Sequence, residues 1–194
     1  MKDLGKHNLL ILGAGQYGTF AKEIAEAMDC FANIAFLDDS YEPSTSSSAH
    51  TRHPEERSDE GSSPALIGST RDLEKFADKF HYAFVAIGNP DVRRRLVELV
   101  LANGMDLATV VHPTAYISPS AQLQKGVCVE PNATVQMAAS VGLATFVASG
   151  AIVRHNAKVG DFCHIDCNAV VESVANVPAS TYISCGSVFA RVRD

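Results

Sequence analysis

The sequence predicts two units of different class: an α/β unit built on a small parallel sheet over residues 1–110, and an all-β unit of stacked six-residue repeats over residues 111–194. Two observations carry this. As far as Val111, short apolar runs alternate with segments of helical periodicity, the pattern of strands joined by helical crossovers. From Val111 onward every sixth residue is aliphatic, a period that belongs to stacked β-coils.

The first strand is "NLLIL" (Asn8 to Leu12), an apolar run closed by glycines. "QYGTFAKEIAEAM" (Gln16 to Met28) then places Phe20, Ile24 and Ala27 at helical spacing, and "NIAFLDD" (Asn33 to Asp39) is a second strand. Ser40 to Pro64 interrupts the alternation. Rich in Ser, Pro and mixed charge, with one aromatic, it reads as a low-complexity surface insertion, because it cannot bury enough apolar area to offset its ordering entropy. The pattern resumes with a helix over Thr70 to Phe80, a strand "YAFVAIG" (Tyr82 to Gly88), a helix from Asn89 to Ala102 and a strand "DLATVV" (Asp106 to Val111). Asn89 and Pro90 supply an N-cap and a first-turn proline, and Gly104 lies just past the helix end. Strands divided by helices in this way imply a parallel sheet of about four strands with both faces covered.

The repeat begins at Val111 and continues through Ile117, Leu123, Val129, Val135, Val141, Val147, Val153, Val159, Ile165, Val171, Val177 and Ile183. Four residues after each stands a mostly small side chain, among them Ala115, Ala121, Ala133, Ala151, Cys163 and Ala175. Such a chain makes a flat face, turns, and makes another, with the aliphatic pointing into a prism and the small residue near a corner. Three faces close one coil, so the repeats fill slightly more than four coils, about 20 Å of prism at the usual strand spacing. Gly142, Gly150, Gly160 and Gly186 mark tight corners.

Composition excludes several classes. The 194 residues carry a formal net charge of −6, which argues against nucleic acid as a partner, since phosphate neutralisation needs clustered Lys and Arg. No stretch is long and apolar enough for a membrane span, and "MKDLGKHNLLILGAG" leads into a strand rather than a signal-peptide cleavage site, so a cytoplasmic location is expected. The five cysteines, an odd number with no C-x-x-C pair, read as small, buried, reduced residues. No metal site is indicated.

Two motifs carry chemistry in the first unit. "GAGQYG", with Gly13, Gly15 and Gly18, stands between a strand and a helix, where glycines permit a tight turn and close approach of backbone to a phosphate. Asp38 and Asp39 end the next strand, as in a dinucleotide site. About four strands are too few for a complete two-half dinucleotide fold, so a Rossmann-like unit holding a nucleotide-sugar fits better; NAD and a purely structural turn are the other readings. In "AIGNPDVRRRL", Gly88 and Asn89 lie at the carboxyl end of a strand, where open parallel sheets bind ligands. Among the arginines that follow, Arg94 is a candidate phosphate contact and a solvated helix face is the plain alternative.

Taken together, "GAGQYG", "FLDD", "AIGNPDVRRRL", "VVHPTAYISPSA" and the histidine-bearing repeat resemble the family of sialic acid O-acetyltransferases and UDP-amino-sugar N-acetyltransferases, hexapeptide-repeat acyltransferases. The resemblance covers nearly the whole chain outside Ser40 to Pro64. It implies a left-handed parallel β-helix, acetyl-CoA as co-substrate, a nucleotide-activated sugar in the first unit and a homotrimer. Within "RHNAKVGDFCH" it gives His155 the role of general base and His164 an acetyl-CoA-facing position. Acetyl transfer needs the nucleophile's proton removed as it attacks, and an imidazole is poised for that near neutral pH.

Asn156 departs from the family, whose members often carry an acidic residue after the histidine; Asp161 or Asp166, from this chain or a neighbouring subunit, is the candidate to replace it. An amide oxygen can still accept from a ring N–H, but it brings no charge. The activity expected is N-acetylation of a UDP-linked amino sugar in bacterial glycan synthesis. O-acetylation of a sialic acid or similar sugar, and a non-catalytic nucleotide-sugar-binding trimer, are the alternatives.

Overall fold

The computed structural model describes residues 7–42 and 65–192. The insertion expected at Ser40 to Pro64 falls outside them beyond Glu42. Strands β1 (His7–Leu12), β2 (Phe31–Leu37), β3 (Leu66–Gly68), β4 (Tyr82–Val85) and β5 (Asp106–Leu107) form one parallel sheet in the order β3-β2-β1-β4-β5. The sequence expected about four strands; β3 is the addition, a three-residue edge strand too short to show a period.

The central strand β1 has side chains buried on both faces of the sheet. Leu9 and Ile11 pack with Phe36, Phe84 and the Ala21, Ile24 and Ala25 face of helix α1 (Gln16–Ala27). Leu10 and Leu12 pack with Leu37, Val85 and the Leu96, Val97 and Val100 face of helix α2 (Pro90–Ala102). Alternation along the strand sends successive residues to opposite layers, which is why the run is apolar throughout. The helix expected at Thr70 to Phe80 is a 3-10 helix, Thr70–Phe76, opened by a capping box between Ser69 and Asp72.

"DLATVV" is two strands, not one: Asp106–Leu107 completes the sheet, and Val110–Val111 begins the coil. The coil then stacks two-residue strands into three parallel sheets of five, five and four strands. Face one carries Val110–Val111, Cys128–Val129, Phe146–Val147, His164–Ile165 and Tyr182–Ile183. Face two carries Tyr116–Ile117, Thr134–Val135, Ile152–Val153, Val170–Val171 and Val188–Phe189. Face three carries Gln122–Leu123, Ser140–Val141, Lys158–Val159 and Asn176–Val177. The second residue of each strand points inward, so the repeat runs one step past Ile183 to Phe189, an aromatic outside the aliphatic count. The small residues also point inward, and Ala133, Ala139, Ala151 and Cys163 are fully buried beside the valines.

The corners obey a second six-residue rule. Every sixth residue from Gly126 to Gly186 has a positive φ, and the set includes Asn132, Asn156, Phe162, Asn168 and Val174. Glycine and asparagine take that conformation readily, whereas Phe162 and Val174 do so against their side chains. Gly150 and Gly186 sit at such corners, as expected. Gly142 and Gly160 do not: a Cβ on Gly142 would lie 2.5 Å from the Gly160 carbonyl carbon, and one on Gly160 would lie 2.6 Å from the Ala179 nitrogen. Close approach of successive coils, not turning, requires those two glycines.

The two units share a core. The α1 layer of the sheet continues into Val110, Cys128 and Phe146 of face one, and the α2 layer continues into Ala144 and Phe162. Of the cysteines, Cys128 and Cys163 are buried, whereas Cys167 is half-buried and Cys30 and Cys185 are exposed, so the expectation of uniform burial fails. Among the described residues, no helix is long and apolar enough to cross a membrane.

Candidate active site

The glycine loop after β1 is tightly built. Gly13 has φ +105°, and a Cβ there would lie 2.8 Å from the Ile87 side chain. A Cβ on Gly18 would lie 1.9 Å from the Gly13 carbonyl oxygen, so the helix can approach the turn only without a side chain. Gly15 faces open space and caps α1 without any side-chain hydrogen bond. The first N–H groups of α1 are therefore free of a side-chain cap, and the helix dipole favours an anion there.

The acidic pair divides its labour. Asp38 belongs to the loop: its Oδ2 accepts from the Ala14 N–H at 2.8 Å, and its Oδ1 accepts from the Ser40 backbone and hydroxyl. Burial works against ionisation of Asp38, but the bonds from Ser40 and Ala14 outweigh it and hold its carboxyl below the usual range. Asp39 turns the other way. Its Oδ1 accepts from the hydroxyls of Thr70 (2.6 Å) and Ser69 (2.8 Å), which likewise lower its pKa. It lines a separate concavity of about 540 Å³ with Arg71 and Arg95.

At the end of β4, Gly88 faces open space, while the Asn89 side chain is occupied in accepting the N–H groups of Asp91 and Val92 at the start of α2. Arg94, a candidate phosphate contact, joins the two units: its guanidinium lies 4.4 Å from the Phe162 ring centroid and donates to the Ser180 hydroxyl at 3.0 Å. Arg93 is buried completely. It donates to the carbonyls of Ile87 and Gly88 on one side and of Phe162 and Cys163 on the other, with its Cζ 4.2 Å from the Phe146 centroid. Burial pulls its pKa down to about 10.

Where α1 meets face one, a cavity of about 290 Å³ opens, lined by Gln16, Tyr17, Phe20, Glu130, Ala148, His164, Asp166 and Cys167. Its geometry follows from face one's outward positions. Parallel pairing stacks Cys128, Phe146, His164 and Tyr182 in one column. The Phe146 ring takes the Tyr17 ring in a stack at 4.8 Å, and His164 stands edge-on to Tyr17 (5.8 Å), Phe146 (5.9 Å) and Tyr182 (5.3 Å). Burial pushes the His164 pKa below its ordinary value, against the pull of Asp166, so the ring is neutral near pH 7. The Tyr17 hydroxyl, its pKa raised by burial, donates to Glu130 at 2.9 Å. Asp166 accepts from the Tyr182 hydroxyl, which holds its carboxyl low.

His155 lies elsewhere. It follows the face-two strand Ile152–Val153, at the corner between faces two and three, whereas His164 is on face one. A prism puts that corner opposite face one, so the two histidines do not share a site within one chain. The Nδ2 of Asn156 is 3.2 Å from the His155 Nδ1. Asn156 has φ 58°, a conformation that asparagine takes readily. In this chain Asp161 is engaged with the Leu143 N–H and Asp166 with Tyr182, so neither substitutes beside His155. The exposed Met137 and Val174 flank the same corner: Met137 accepts from the Asn156 N–H, and Val174 donates to the His155 carbonyl.

Sequence reasoning missed Tyr17, Glu130 and Arg93. The signal was a column, not a motif: reading the outward position of face one turn by turn gives apolar and aromatic side chains where face three gives Gln122, Ser140, Lys158 and Asn176. Among the described residues no group of three His, Cys, Asp or Glu side chains could hold a metal.

Residues 8–100 match the PglD N-terminal domain. The acetyltransferase domain of PglB from Neisseria gonorrhoeae FA1090, solved with acetyl coenzyme A, is 26% identical at a TM-score of 0.71, covering 96% of this chain and 92% of its own. A variant of perosamine N-acetyltransferase from Caulobacter crescentus, solved with CoA and GDP-perosamine, has a TM-score of 0.77 at 21% identity, over 97% and 90% of the two chains. WeeI from Acinetobacter baumannii AYE matches at 16% identity and a TM-score of 0.51, over 93% and 92%. The fold is thus a parallel α/β sheet joined to a left-handed β-helix.

Proposed function

We propose that this chain, a hexapeptide-repeat acyltransferase carrying a PglD N-terminal domain, transfers the acetyl group of acetyl-CoA to the amine of a nucleotide-linked sugar, a UDP-sugar being the first candidate. One observation carries the reading. Gln16 and Tyr17 belong to the first turn of α1, above the uncapped helix N-terminus, and both also line the His164 cavity. A phosphate at the helix end therefore places its sugar next to His164, with no gap between the nucleotide-binding loop and the coil. The solved relatives bind acetyl coenzyme A in one case, and CoA with GDP-perosamine in the other, which supports both ligands.

The base is His155, and it acts on the cavity of a neighbouring copy. Three outward faces of the coil differ in what covers them. Face one is covered by α1, and face three is polar. Face two presents Tyr116, Thr134, Ile152, Val170 and Val188, with Tyr116 and Val188 largely exposed, and among the described residues no helix packs on it. Burying such a column against another copy is favourable, and a closed ring of three copies repeats that contact at each junction. His155, Met137 and Val174 stand on the edge of this face, so the contact carries the histidine to the adjacent protomer.

In the step itself the amine nitrogen attacks the thioester carbonyl carbon. The C–N bond forms, the C–S bond breaks, and the nitrogen's proton passes to the His155 ring and on to the departing sulfur, giving amide and CoA thiol. For this the ring must present an unprotonated Nε2. The amide of Asn156 sets that tautomer when its oxygen, not its nitrogen, faces Nδ1. A second reading has His164 as the base in its own chain, favoured by its place in the cavity and its neutral ring.

Release of free CoA thiol from acetyl-CoA, measured with a panel of UDP- and GDP-linked amino sugars, tests the reading. Sugar-dependent release that falls by about 10²-fold or more in His155→Ala supports it. Release unchanged in His155→Ala but lost in His164→Ala moves the base to His164, and no release with any acceptor removes the enzyme reading.

A further inference from the structure

Among the described residues the carboxylate in the cavity has no cationic partner. Glu130 is buried, 4% exposed. Its Oε1 accepts from the Tyr17 hydroxyl at 2.9 Å, and its Oε2 accepts from the Ser149 N–H at 2.8 Å and the Ser149 hydroxyl at 2.9 Å. Each carboxylate oxygen accepts two hydrogen bonds, so Oε2 is filled and Oε1 retains one open position. Among the described residues no lysine or arginine lines the cavity. Arg93, a buried cation, directs its Nη donors at the carbonyls of Ile87, Gly88, Phe162 and Cys163 instead.

A buried carboxylate is costly unless its charge is met. In face one it stands one residue past Val129 at the start of a turn, a position that needs no charge for the fold: the corresponding place in the next coil holds Ala148, and the neutral amide of Gln136 makes the same kind of bond to the coil beside it through the His155 N–H. Its fixed geometry, with three donors aiming the group, is that of a preorganised acceptor. Asp166, the other acid of the cavity, is held by the exposed Tyr182 and by the Cys167 N–H, and it borders the opening.

We infer that Glu130 selects the acceptor, holding the protonated amine of the sugar through the open position on Oε1, so that the cavity admits an amino sugar in preference to its hydroxyl counterpart. This rests on the acetyltransferase reading above. An amine bound as ammonium loses one proton to solvent before it attacks, and the second follows the His155 path to sulfur. A hydroxyl brings one donor and no charge to the same carboxylate, and the desolvated anion is left unmet.

GDP-perosamine and GDP-rhamnose, which differ by an amine for a hydroxyl at one carbon, separate the cases, with UDP-linked pairs run in parallel. In the wild type, kcat/KM for the amine exceeds that for the hydroxyl; in Glu130→Gln the amine loses about 10- to 100-fold, mostly in KM, while the hydroxyl acceptor changes little. Equal losses for both acceptors, or an unchanged preference, overturn the assignment. Should Glu130→Gln not fold, calorimetry on the wild type decides, with the amine member of the pair binding at least about tenfold tighter and equal affinities refuting the inference. A wild type that acetylates no acceptor of either kind, yet binds the amine sugar more tightly, refutes the activity and leaves the selection by Glu130 standing.

Discussion

Replacing Arg93 with methionine keeps the aliphatic stem and removes every donor. Four carbonyls lose partners, and of these the Phe162 oxygen, bonded at 2.7 Å, and the Cys163 oxygen are met in the buried joint between α2 and the coil. An orphaned buried carbonyl costs about 1–3 kcal/mol. The guanidinium over the Phe146 ring at 4.2 Å contributes about 2 kcal/mol in so dry a position. Against these stands relief of burying the cation, whose cost is visible in the fall of its pKa to about 10. The net is a loss of about 2 kcal/mol, or a melting temperature lower by about 4–8 °C for a chain of this size. Thermal unfolding followed by circular dichroism measures it. An Arg93→Met protein that melts within about 1 °C of the wild type, or above it, would refute the view that this residue fastens the two units.

Three further outcomes follow from the same geometry. Asn156→Asp places a carboxylate beside Nδ1, stabilises the imidazolium formed during transfer, and raises kcat by up to about tenfold; an unchanged or lower kcat removes Asn156 from the account. Ile152→Glu puts a charge in the middle of face two, so sedimentation should report monomers with the fold intact, and a trimer that persists means the subunits meet elsewhere. A titration of His164 by NMR should give a midpoint below 6.5, since burial favours the neutral ring. Its folded pKa is depressed, so the stability it contributes is complete above the unfolded value and is lost as pH falls through the folded one; a midpoint at or above 6.5 contradicts the buried setting.

The fold was largely legible because both of its periods are set by what must point inward. Val111 to Ile183 repeats every six residues since a prism buries one strand position per face. Leu9 to Leu12 is uniformly apolar because two layers share β1. What escaped lacks a period of its own. β3 has three residues and pairs only at an edge, and the break inside "DLATVV" is a change of partner that leaves the run apolar on both sides.

The site was legible in its histidines and glycines but not in its partition. Motifs placed His155 and His164 nine residues apart, and only the closing of the prism puts them on opposite sides. Tyr17 and Glu130 meet across 113 positions of sequence, a pairing that no local spacing announces. Asn156 stands at one of the positive-φ corners, and the six-residue spacing of those corners is seen only once the coil is closed.

The central claim is that His155 of one protomer serves the cavity of the next, and subunit mixing tests it most directly. His155→Ala and His164→Ala proteins, each assayed alone for its loss of activity, are unfolded and refolded together, and CoA thiol release is measured with acetyl-CoA and an amino-sugar nucleotide. Sites shared between copies in a closed ring regain up to about one quarter of the wild-type rate, from junctions that join an intact His155 to an intact His164. A mixture no more active than its components would contradict the account.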